Sequence, residues 1–450
     1  MKDEIFAEFN SSFKFDRRIF AADVRVSVAY CGALFNAGVF TRSESERVKN
    51  GLQAILKRAD YDKNYFSELS SENIHSFIET RLIQLIGEAG GKLRAGRSRL
   101  DQAATAFRLW LREEIKEISG FTRDLQNALI GAAEKQSEAV LPGYTNLRRT
   151  QPILWAHWCL AHFEMLARDR ERLDEVWRRV NVLPLGAANL AGTAFEIDCE
   201  AVARELNFEG VAANSLDAVS DNDFALEFVG ACSLLMVHLS RLAEDLILYA
   251  SAEFGFIKLG DAVSIGSSLI APEQHTIALA LVRGKAGRIF GHQTALLSTM
   301  KGLPLAYNKD SEEDKEAVFD TVDSVLICLR TAKAVLENLR VNVEKTRAAA
   351  TRGYLNAAEL ADYLVQRDTP IKAAQETVGK ILRYAVAEKK ELNELSWAEL
   401  REFSDVFGKD VFENLTLEQT LASKNQIGGT APERVSEALE AAKSALAREL

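Results

Sequence analysis

Residues suited to binding anions or moving protons are concentrated in four polar stretches of this 450-residue chain. The first is GGKLRAGRSRLDQ (90–102), where four cationic side chains and a serine precede an apolar-periodic tract. Cations combined with the free N–H groups of a helix start suit carboxylate or phosphate binding. The simple alternative is a solvated basic turn, and the local pattern favours the anion site.

Two further stretches combine turn residues with hydroxyl and amide groups. PGYTNLRRTQP (142–152) has a proline at each end, and it suits a ligand-binding loop and a capped loop between helices equally well. NSLDAVSDNDF (214–224) precedes the most apolar tract of the chain. Its Asn, Ser and Asp residues are the types expected at helix N-caps, so capping is the preferred interpretation.

The fourth stretch, GSSLIAPEQHT (266–276), places two hydroxyls in a loop before a helical pattern. A serine hydroxyl is a poor base unless a cationic, partly dry site deprotonates it. Glu273 puts a carboxylate where an anionic substrate would need a cation, although it can instead recognise a cationic group. His275 is interpreted either as a new acid or base or as a surface histidine on the loop.

Five long apolar-periodic tracts must position these stretches, and they predict a mostly helical, all-α protein. The composition is dominated by Ala, Leu, Glu, Lys and Arg, which favour helix, and no βαβ alternation is visible. Apolar residues from Phe228 to Leu239 recur at spacings of three and four, as in a helix buried along much of its length. The tracts are 103–135, 155–179, 224–254, 277–297 and 315–342.

These tracts predict an elongated bundle, because each would form a helix about 30–45 Å long. Several are too apolar for one subunit to cover, which indicates oligomerisation through the bundle. Thr41 or Ser43 is expected to cap an early helix, and Pro432 to lie in the first turn of the last one. The predicted domains are N-terminal helical (1–96), central long-helix bundle (97–345) and C-terminal helical (346–450).

Composition excludes several classes of protein. The formal net charge is −10 with interspersed charges, whereas a nucleic-acid binder would carry a basic face. No segment is expected to reach the length of a transmembrane helix, and MKDEIFAEFN lacks a signal-peptide core. The five cysteines are scattered without a CxxC pair, which predicts reduced, mostly buried thiols in a cytoplasmic protein. The six histidines have no metal-pair spacing, so no metal site is predicted.

The four stretches, in this order and spacing, resemble the argininosuccinate lyase family of the fumarase/aspartase superfamily. FNSSFKFDRR, NIHSFIETRL, GLPLAYNKDSEEDKEAVFD and KNQIGGTAPE extend the resemblance over nearly the whole chain. It implies a three-domain fold, a homotetramer with a twenty-helix core, and active sites assembled from three subunits. It also implies cleavage of argininosuccinate to arginine and fumarate by anti elimination, without a cofactor. The aci-carboxylate intermediate of that reaction needs cations and hydrogen-bond donors.

The resemblance also implies roles for individual residues. Ser267, with its neighbour Ser268, falls on the serine proposed as the base. The other matches are Arg97 and Ser98 in a carboxylate-binding turn, Asp101 after it, Thr145 and Gln151 in the second stretch, His75 near the substrate, and Tyr307 and Lys315 in the YNKD…EDK landmark.

This chain departs from the family pattern at positions that matter for the reaction. Leu100 replaces a substrate-binding asparagine, and Asn146 replaces the histidine assigned to proton transfer. Asn222 replaces an arginine, and in the fourth stretch Glu273 replaces a lysine and His275 an asparagine. A cation about 4 Å from the developing dianion contributes several kcal/mol in a dry site. Each ~1.36 kcal/mol changes the rate about tenfold, so ordinary argininosuccinate cleavage is predicted to be strongly reduced.

Two arginines stand where the family has a histidine and a glutamine, and they are candidates to compensate for the lost lysine. Arg94 replaces a histidine and Arg148 a glutamine, which is compatible with a redrawn site. One hypothesis is a carbon–nitrogen lyase acting on argininosuccinate or a related N-substituted amino acid. The alternative is a catalytically impaired scaffold subunit that co-assembles with an active paralogue, and a third is a regulator binding arginine or fumarate. The expected ligand is a small anionic amino-acid substrate or, in an inactive protein, a ligand of the remnant pocket.

Overall fold

The computed structural model describes residues 4–266 and 274–448. Within them the α-helices are α1 (Glu4–Phe9), α2 (Phe13–Asp16), α3 (Phe20–Asn36), α4 (Arg42–Tyr61), α5 (Ile74–Ile86), α6 (Arg99–Lys135), α7 (Trp155–Val180), α8 (Cys199–Glu205), α9 (Ser215–Ala218), α10 (Asp223–Ala250), α11 (Ile277–Met300), α12 (Glu313–Glu337), α13 (Val343–Ala350), α14 (Ala357–Val365), α15 (Ile371–Glu388), α16 (Trp397–Arg401), α17 (Val411–Asn414), α18 (Leu417–Ala422) and α19 (Pro432–Ala447).

Short strands and 3₁₀ turns join these helices. The strands are β1 (Val140–Thr145), β2 (Arg148–Leu154), β3 (Val182–Leu183), β4 (Gly210–Val211), β5 (Ile257–Leu259), β6 (Ile265–Gly266), β7 (Gln274–His275) and β8 (Leu339–Val341). They form the two-stranded pairs β1–β2, β3–β4, β5–β8 and β6–β7. The 3₁₀ turns are Arg17–Ile19, Gly87–Arg94, Asp261–Val263, Lys309–Glu312 and Leu392–Glu394.

The five long tracts are helices, so the prediction of a mostly helical protein is confirmed. They correspond to α6, α7, α10, α11 and α12. The last tract was expected to stay helical to residue 342, and this boundary was wrong. α12 ends at Glu337 because the chain then forms β8, in which Val341 pairs with Ile257 of β5.

Local start signals behave as the sequence predicts. Thr41 caps α4, where its side chain accepts from Glu44 N and the Glu44 side chain accepts from Thr41 N. Asn214 caps α9, so the capping interpretation of 214–224 is confirmed there. Pro432 is the first residue of α19.

The chain divides into two compact units, which are described separately. The first unit comprises Met1–Gly120, Asp169–Met236 and Lys285–Ile327, and the second comprises Phe121–Arg168, Val237–Gly284 and Cys328–Leu450. The predicted three-domain organisation stays a prediction.

The first unit brings together the elements around a candidate site. Asn73 caps α5 by accepting from Ser76 N, and α5 packs against α3 and α4. An aromatic cluster of Tyr65, Phe66 and Phe77, with Tyr65 and Phe77 buried, supports this packing, and its ring centroids are 5.3–5.8 Å apart. The 3₁₀ turn that follows α5 then leads the chain to the start of α6.

The second unit contains a β-hairpin where a capped loop between helices was the alternative expectation. β1 and β2 pair antiparallel from Val140↔Leu154 to Thr145↔Arg148, so that alternative was wrong. The two loop residues, Asn146 and Leu147, have φ of 51° and 59°. Two-residue hairpin loops of type I′ need positive φ at both central positions, and asparagine tolerates it better than other non-glycine residues. Of the two loop positions, only Asn146 therefore carries a residue type that indicates a hairpin turn.

The thiol prediction is confirmed, and the membrane prediction needs a correction. All five cysteines are free thiols, and four are buried while Cys199 is intermediate. Two segments, Glu4–Asn36 and Asp223–Ala250, are long and apolar enough to cross a membrane by length and composition. Their most apolar windows are 67% and 56% buried inside the protein, as core helices of a globular protein are.

Candidate functional site

A cavity of about 230 Å³ lies within the first unit, and we refer to it as the first-unit cavity. The starts of α5, α6, α10 and α12 surround it, together with α2 and the 3₁₀ turn before α12. It is lined by Ser12, Asp16, Glu72, Asn73, His75, Arg99, Leu100, Ala103, Ala104, Phe107, Ala218, Val219, Asp221, Asn222, Phe224, Tyr307, Lys309, Ser311, Glu312, Asp314 and Lys315.

Five residues singled out from the sequence meet in this cavity. They are His75, Leu100, Asn222, Tyr307 and Lys315. Leu100 and Asn222 differ from the family pattern, and they give the cavity lining an apolar side chain and an uncharged amide. The Asn222 amide lies 3.9 Å from the Met300 sulfur. Their roles toward a ligand stay predictions.

His75 is held by a buried carboxylate that the sequence did not identify. His75 Nδ1 lies 2.8 Å from Asp23 Oδ2, and Gln102 Nε2 donates to Asp23 Oδ1 at 2.7 Å. Burial opposes ionisation of Asp23, but its interactions with His75, Arg97 and Gln102 prevail and hold its pKa below the ordinary value. An ionised carboxylate only accepts, so Nδ1–H must donate. This tautomer leaves Nε2 for proton exchange with a ligand.

The cationic turn before α6 is divided between structural and cavity-facing residues. Arg97 lies over the Tyr30 ring, 5.2 Å from its centroid, and donates to Ser27 Oγ at 3.2 Å. Arg99 lines the cavity and donates to Glu79 Oε2 at 2.9 Å. The sequence predicts Arg97 as a site residue, whereas in the structure Arg99 of the same motif lines the cavity. Carboxylate binding by Arg97 stays a prediction.

Ser98 and Asp101 make hydrogen bonds that shape the turn. Ser98 Oγ donates to Ala188 O at 2.8 Å, and Ser98 N donates to Asp101 Oδ1 at 3.0 Å. Asp101 Oδ2 accepts from Gly186 N at 3.2 Å and from Ala188 N at 2.9 Å. Burial raises the pKa of Asp101 to about 6, although these N–H groups act in the opposite direction. Both residues therefore hold the α6 start against the 186–188 loop.

Arg94, a candidate compensating cation, is turned outward. Its side chain is 66% exposed, and its Nη1 lies 3.7 Å from Glu79 Oε1. Glu79 thus lies beside two cations, Arg94 and Arg99. Among the described residues, Arg94 is not part of the lining of the first-unit cavity.

A buried charge cluster also lines the cavity. Lys315 Nζ lies 3.8 Å from Asp314 Oδ1. Burial works against the charge on Lys315, but Asp314, Asp16 and Glu312 outweigh it and raise its pKa. Burial raises the pKa of Asp314 to about 6, and the charge of Lys315 opposes this shift.

Two carboxylate oxygens of this cluster accept no hydrogen bond within the described residues. Asp16 Oδ1 and Asp314 Oδ1 are buried and accept no hydrogen bond from any described residue. Because an unmet buried acceptor is costly, they suit a donor-rich cationic ligand group. Sequence reasoning did not select Asp16, Glu312 or Asp314. Asp16 lies in FKFDRR, and Glu312 and Asp314 lie in SEEDK. Both segments resemble the family, and the acidic residues in them were the only sequence signal for these site residues.

The second unit carries the residues of PGYTNLRRTQP on the β1–β2 hairpin. Thr145 Oγ1 and Thr150 Oγ1 lie 2.8 Å apart, and Asn146 occupies the turn. Arg148 and Gln151 are exposed on β2. The hairpin presents hydroxyl, amide and guanidinium groups at its exposed end.

Part of the fourth stretch lies outside the described residues. Ser267, Ser268 and Glu273 belong to that part, so their roles stay predictions. For His275 the backbone is described, and it pairs with Ile265 in β6–β7.

The first-unit cavity combines both signs of charge with an apolar wall. Three cations line it, and they are Arg99, Lys309 and Lys315. Five carboxylates line it as well, namely Asp16, Glu72, Asp221, Glu312 and Asp314. Such a lining suits a small ligand that carries carboxylates and a cationic group together. Within residues 4–266 and 274–448, no group of three His, Cys, Asp or Glu residues is arranged to hold a metal ion.

Two family models match the chain. The lyase model covers residues 1–291, and the argininosuccinate lyase C-terminal model covers residues 354–422. The argininosuccinate lyase of Methylococcus capsulatus is 47% identical over 446 residues, which are 99% of this chain and 96% of that protein. The argininosuccinate lyase of Pseudoalteromonas atlantica is 46% identical over 440 residues, or 98% and 96% of the two chains.

Solved structures share the fold at low sequence identity. An EDDS lyase variant with bound fumarate has a TM-score of 0.87 at 23% identity, covering 96% of this chain and 87% of that one. The 3-carboxy-cis,cis-muconate lactonizing enzyme of Pseudomonas putida has a TM-score of 0.77 at 20% identity, covering 98% and 99%. These likenesses concern the fold alone.

Proposed function

The chain belongs to the argininosuccinate lyase family, and from this premise we propose that it is a carbon–nitrogen lyase that eliminates fumarate from argininosuccinate or a related N-substituted amino acid. The observation that carries the proposal is the 46% identity to an argininosuccinate lyase over 98% of the chain. The mixed charge of the first-unit cavity supports it, because argininosuccinate carries both carboxylates and cationic groups. We place the reaction in the cytoplasm, without a cofactor.

The elimination moves one proton and one electron pair. A base removes a proton from the carbon next to a carboxylate, and the carbon–nitrogen electrons leave with the nitrogen as the fumarate double bond forms. An acid then protonates the departing nitrogen. Ser267 is the proposed base, and Thr145 and Gln151 of the hairpin are proposed to position the substrate.

The first-unit cavity supplies the electrostatic part of this proposal. Arg99 and Lys315 are suited to the succinyl carboxylates, including the one that becomes a dianion. The unpartnered oxygens of Asp16 and Asp314 suit the cationic end of the substrate. His75, anchored by Asp23, lines this cavity and is proposed to transfer protons in place of the family histidine that Asn146 replaces.

We further propose that turnover of argininosuccinate is low. Leu100 lines the cavity with a side chain that cannot donate a hydrogen bond, and Asn222 supplies no charge there. Asn146 cannot titrate near neutral pH, and Glu273 repels a developing dianion where a lysine would attract it. Losing such interactions in the transition state lowers the rate by orders of magnitude.

The test is fumarate release from argininosuccinate by the purified chain, followed by ultraviolet absorbance. The wild type is compared with an Asn146→His, Glu273→Lys double variant, and Asn146→Gln, Glu273→Gln is the matched control. We expect slow release by the wild type and a large gain in the double variant alone. Release at ordinary enzyme rates by the wild type would contradict the low-turnover proposal. Silence of every variant would contradict the lyase proposal itself.

A second candidate function is a catalytically impaired scaffold subunit. The presence of Leu100 and Asn222 in the cavity favours it, since the first replaces a polar side chain of the family pattern and the second a charged one. We propose a homotetramer, as the family implies, or a mixed tetramer with an active paralogue. Light scattering at micromolar concentration tests this, and a monomer would contradict both assemblies. Fumarate or arginine binding without turnover would favour the third hypothesis, a ligand-binding regulator.

A further inference from the structure

A second cavity, of about 280 Å³, lies within the second unit and belongs to no site described above. We refer to it as the C-terminal cavity. α13 and the residues after it form one wall, and α17 and α18 form another. Its apolar lining includes Pro152, Leu355, Phe412, Leu415 and Leu417. The cavity is large enough for a small organic ligand and has a surface suited to an apolar group.

One cation and one anion stand among the lining residues. Arg347 Nη2 donates to Glu418 Oε1, and the two side chains are 51% and 67% exposed. An exposed ion pair of this kind stabilises a protein little, because water competes for both partners. A ligand that carries one carboxylate and one ammonium group can therefore separate the pair. Its carboxylate then binds Arg347 and its ammonium group binds Glu418.

A buried hydroxyl in the same lining also lacks a partner. Thr420 is 2% exposed, and its Oγ1 makes no hydrogen bond to any described residue. Asn356 Nδ2 donates to Leu415 O at 3.0 Å, which leaves its Oδ1 available as an acceptor. Buried polar groups are normally satisfied, so an unmet hydroxyl beside a cavity indicates a missing polar partner.

We propose that the C-terminal cavity binds a zwitterionic α-amino acid with an uncharged, apolar side chain. Arg347 takes the carboxylate and Glu418 takes the ammonium group, while the side chain lies against Phe412 and Leu417. The charges of this site exclude two other ligand classes. Glu418 repels a dicarboxylate, and a guanidinium side chain would need a second carboxylate, which the described lining does not contain.

This site is connected to the hairpin by covalent structure. Pro152 lines the cavity and directly follows Gln151 in β2. The hairpin is also tied to the C-terminal part of the chain, because Leu154 N donates to Thr430 Oγ1 at 2.9 Å. A ligand lying against Pro152 therefore restrains the strand that carries Gln151. The binding itself does not depend on lyase activity, so it can be tested on a chain that turns nothing over.

The test is isothermal titration calorimetry of the full chain with L-leucine as the probe. 4-Methylpentanoate lacks the ammonium group, isopentylamine lacks the carboxylate, and L-arginine adds a guanidinium. Arg347→Gln and Glu418→Gln each remove one charge from a residue that is at least half exposed, so folding is retained and is checked by circular dichroism. Arg352→Gln, on an exposed residue outside the lining, is the matched control.

We expect saturable L-leucine binding that weakens about tenfold or more in each lining variant and is unchanged in Arg352→Gln. The three comparison compounds should bind at least about tenfold more weakly than L-leucine. Hydrogen exchange of the complex should show protection at 343–356 and 411–422. The proposal is overturned by no saturation up to about 10 mM, by unchanged binding in both lining variants, or by protection confined to residues of the first-unit cavity.

Discussion

The carboxylate of Asp23 lies 2.8 Å from Nδ1 of His75, and both side chains are buried, at 0% and 3% exposure. The second oxygen of Asp23 accepts from Gln102, so this carboxylate receives two donors from two different helices. It thereby fixes the tautomer of a histidine that lines the first-unit cavity. Asp23 is a positioning residue, acting on any ligand only through His75.

Asp23→Asn is expected to reverse the tautomer of His75 and to weaken the fold. Gln102 keeps its NH₂ toward residue 23, because Arg99 Nη1 donates to Gln102 Oε1 at 3.0 Å. The new amide therefore turns its oxygen to Gln102 and its NH₂ to His75 Nδ1, which must accept. Nitrogen-15 NMR of the histidine ring should report a change from Nδ1–H to Nε2–H. Thermal or urea unfolding should show a loss of about 2–3 kcal/mol.

The control for Asp23→Asn is Asp60→Asn, at an exposed position, which should alter neither the ring nitrogens nor the stability. Ring nitrogen shifts identical to those of the wild type in Asp23→Asn would show that the carboxylate does not set the tautomer.

Leu100→Asn is expected to restore a ligand contact in the first-unit cavity. The change returns an amide to a wall that Leu100 makes apolar. In the Asn146→His, Glu273→Lys background, fumarate release should rise about tenfold or more, the effect of one added hydrogen bond to a charged group. Leu100→Met keeps the wall apolar and should leave the rate unchanged. Equal rates in the Asn and Met variants would exclude a role for residue 100 in binding.

Asp101 predicts a definite dependence of stability on pH. Burial raises its pKa from 3.8 to about 6. Between about pH 4 and pH 6 the folded chain keeps a proton that the unfolded chain releases, so stability falls as pH rises. From pH 4 to pH 7, the free energy of unfolding of wild type minus that of Asp101→Asn should decrease by up to about 3 kcal/mol.

The matched control for Asp101 is Asp405→Asn, whose wild-type side chain is 90% exposed. The free energy of unfolding of wild type minus that of Asp405→Asn should show no such decrease between pH 4 and pH 7. A difference for Asp101→Asn that grows with pH instead would reverse the assigned direction of its pKa.

Gly186 is required by the loop that holds Asp101. It has φ of 107°, and an added Cβ would lie 2.4 Å from Cys199 Sγ. Gly186→Ala should therefore lower stability by about 2 kcal/mol or more, through both strain and overlap. In Gly120→Ala, on α6 with no heavy atom within 4 Å of the new Cβ, stability should rise by up to about 1 kcal/mol. Equal melting temperatures for the two variants would contradict this account.

Much of the helical framework was predictable because its signals are local. The apolar residues of α6, α7, α10, α11 and α12 repeat at helical spacing within each tract. The starts at Thr41, Asn214 and Pro432 depend on residues within one turn of each cap. Four of the site residues predicted from the sequence line one cavity, and Asn222 lines it with them.

The remainder depended on contacts between residues distant in sequence. α12 ends early because β8 pairs with β5, and no residue near 337 announces that pairing. The hairpin was missed because Leu147 is an unusual residue for positive φ, which the antiparallel register nevertheless requires. Asp16 and Asp314 were passed over because each is an ordinary acidic residue until the fold buries it.

The sequence by itself determined the helical class, the long-helix framework and the family, because periodicity, capping and ordered motifs are carried by neighbouring residues. Only the tertiary structure decided which polar groups share a cavity, which carboxylate anchors His75, and where a second cavity opens beside Arg347 and Glu418. The physical reason is that burial and electrostatic coupling depend on separation in space. A charge acquires an altered pKa or an unmet hydrogen bond only when distant segments enclose it.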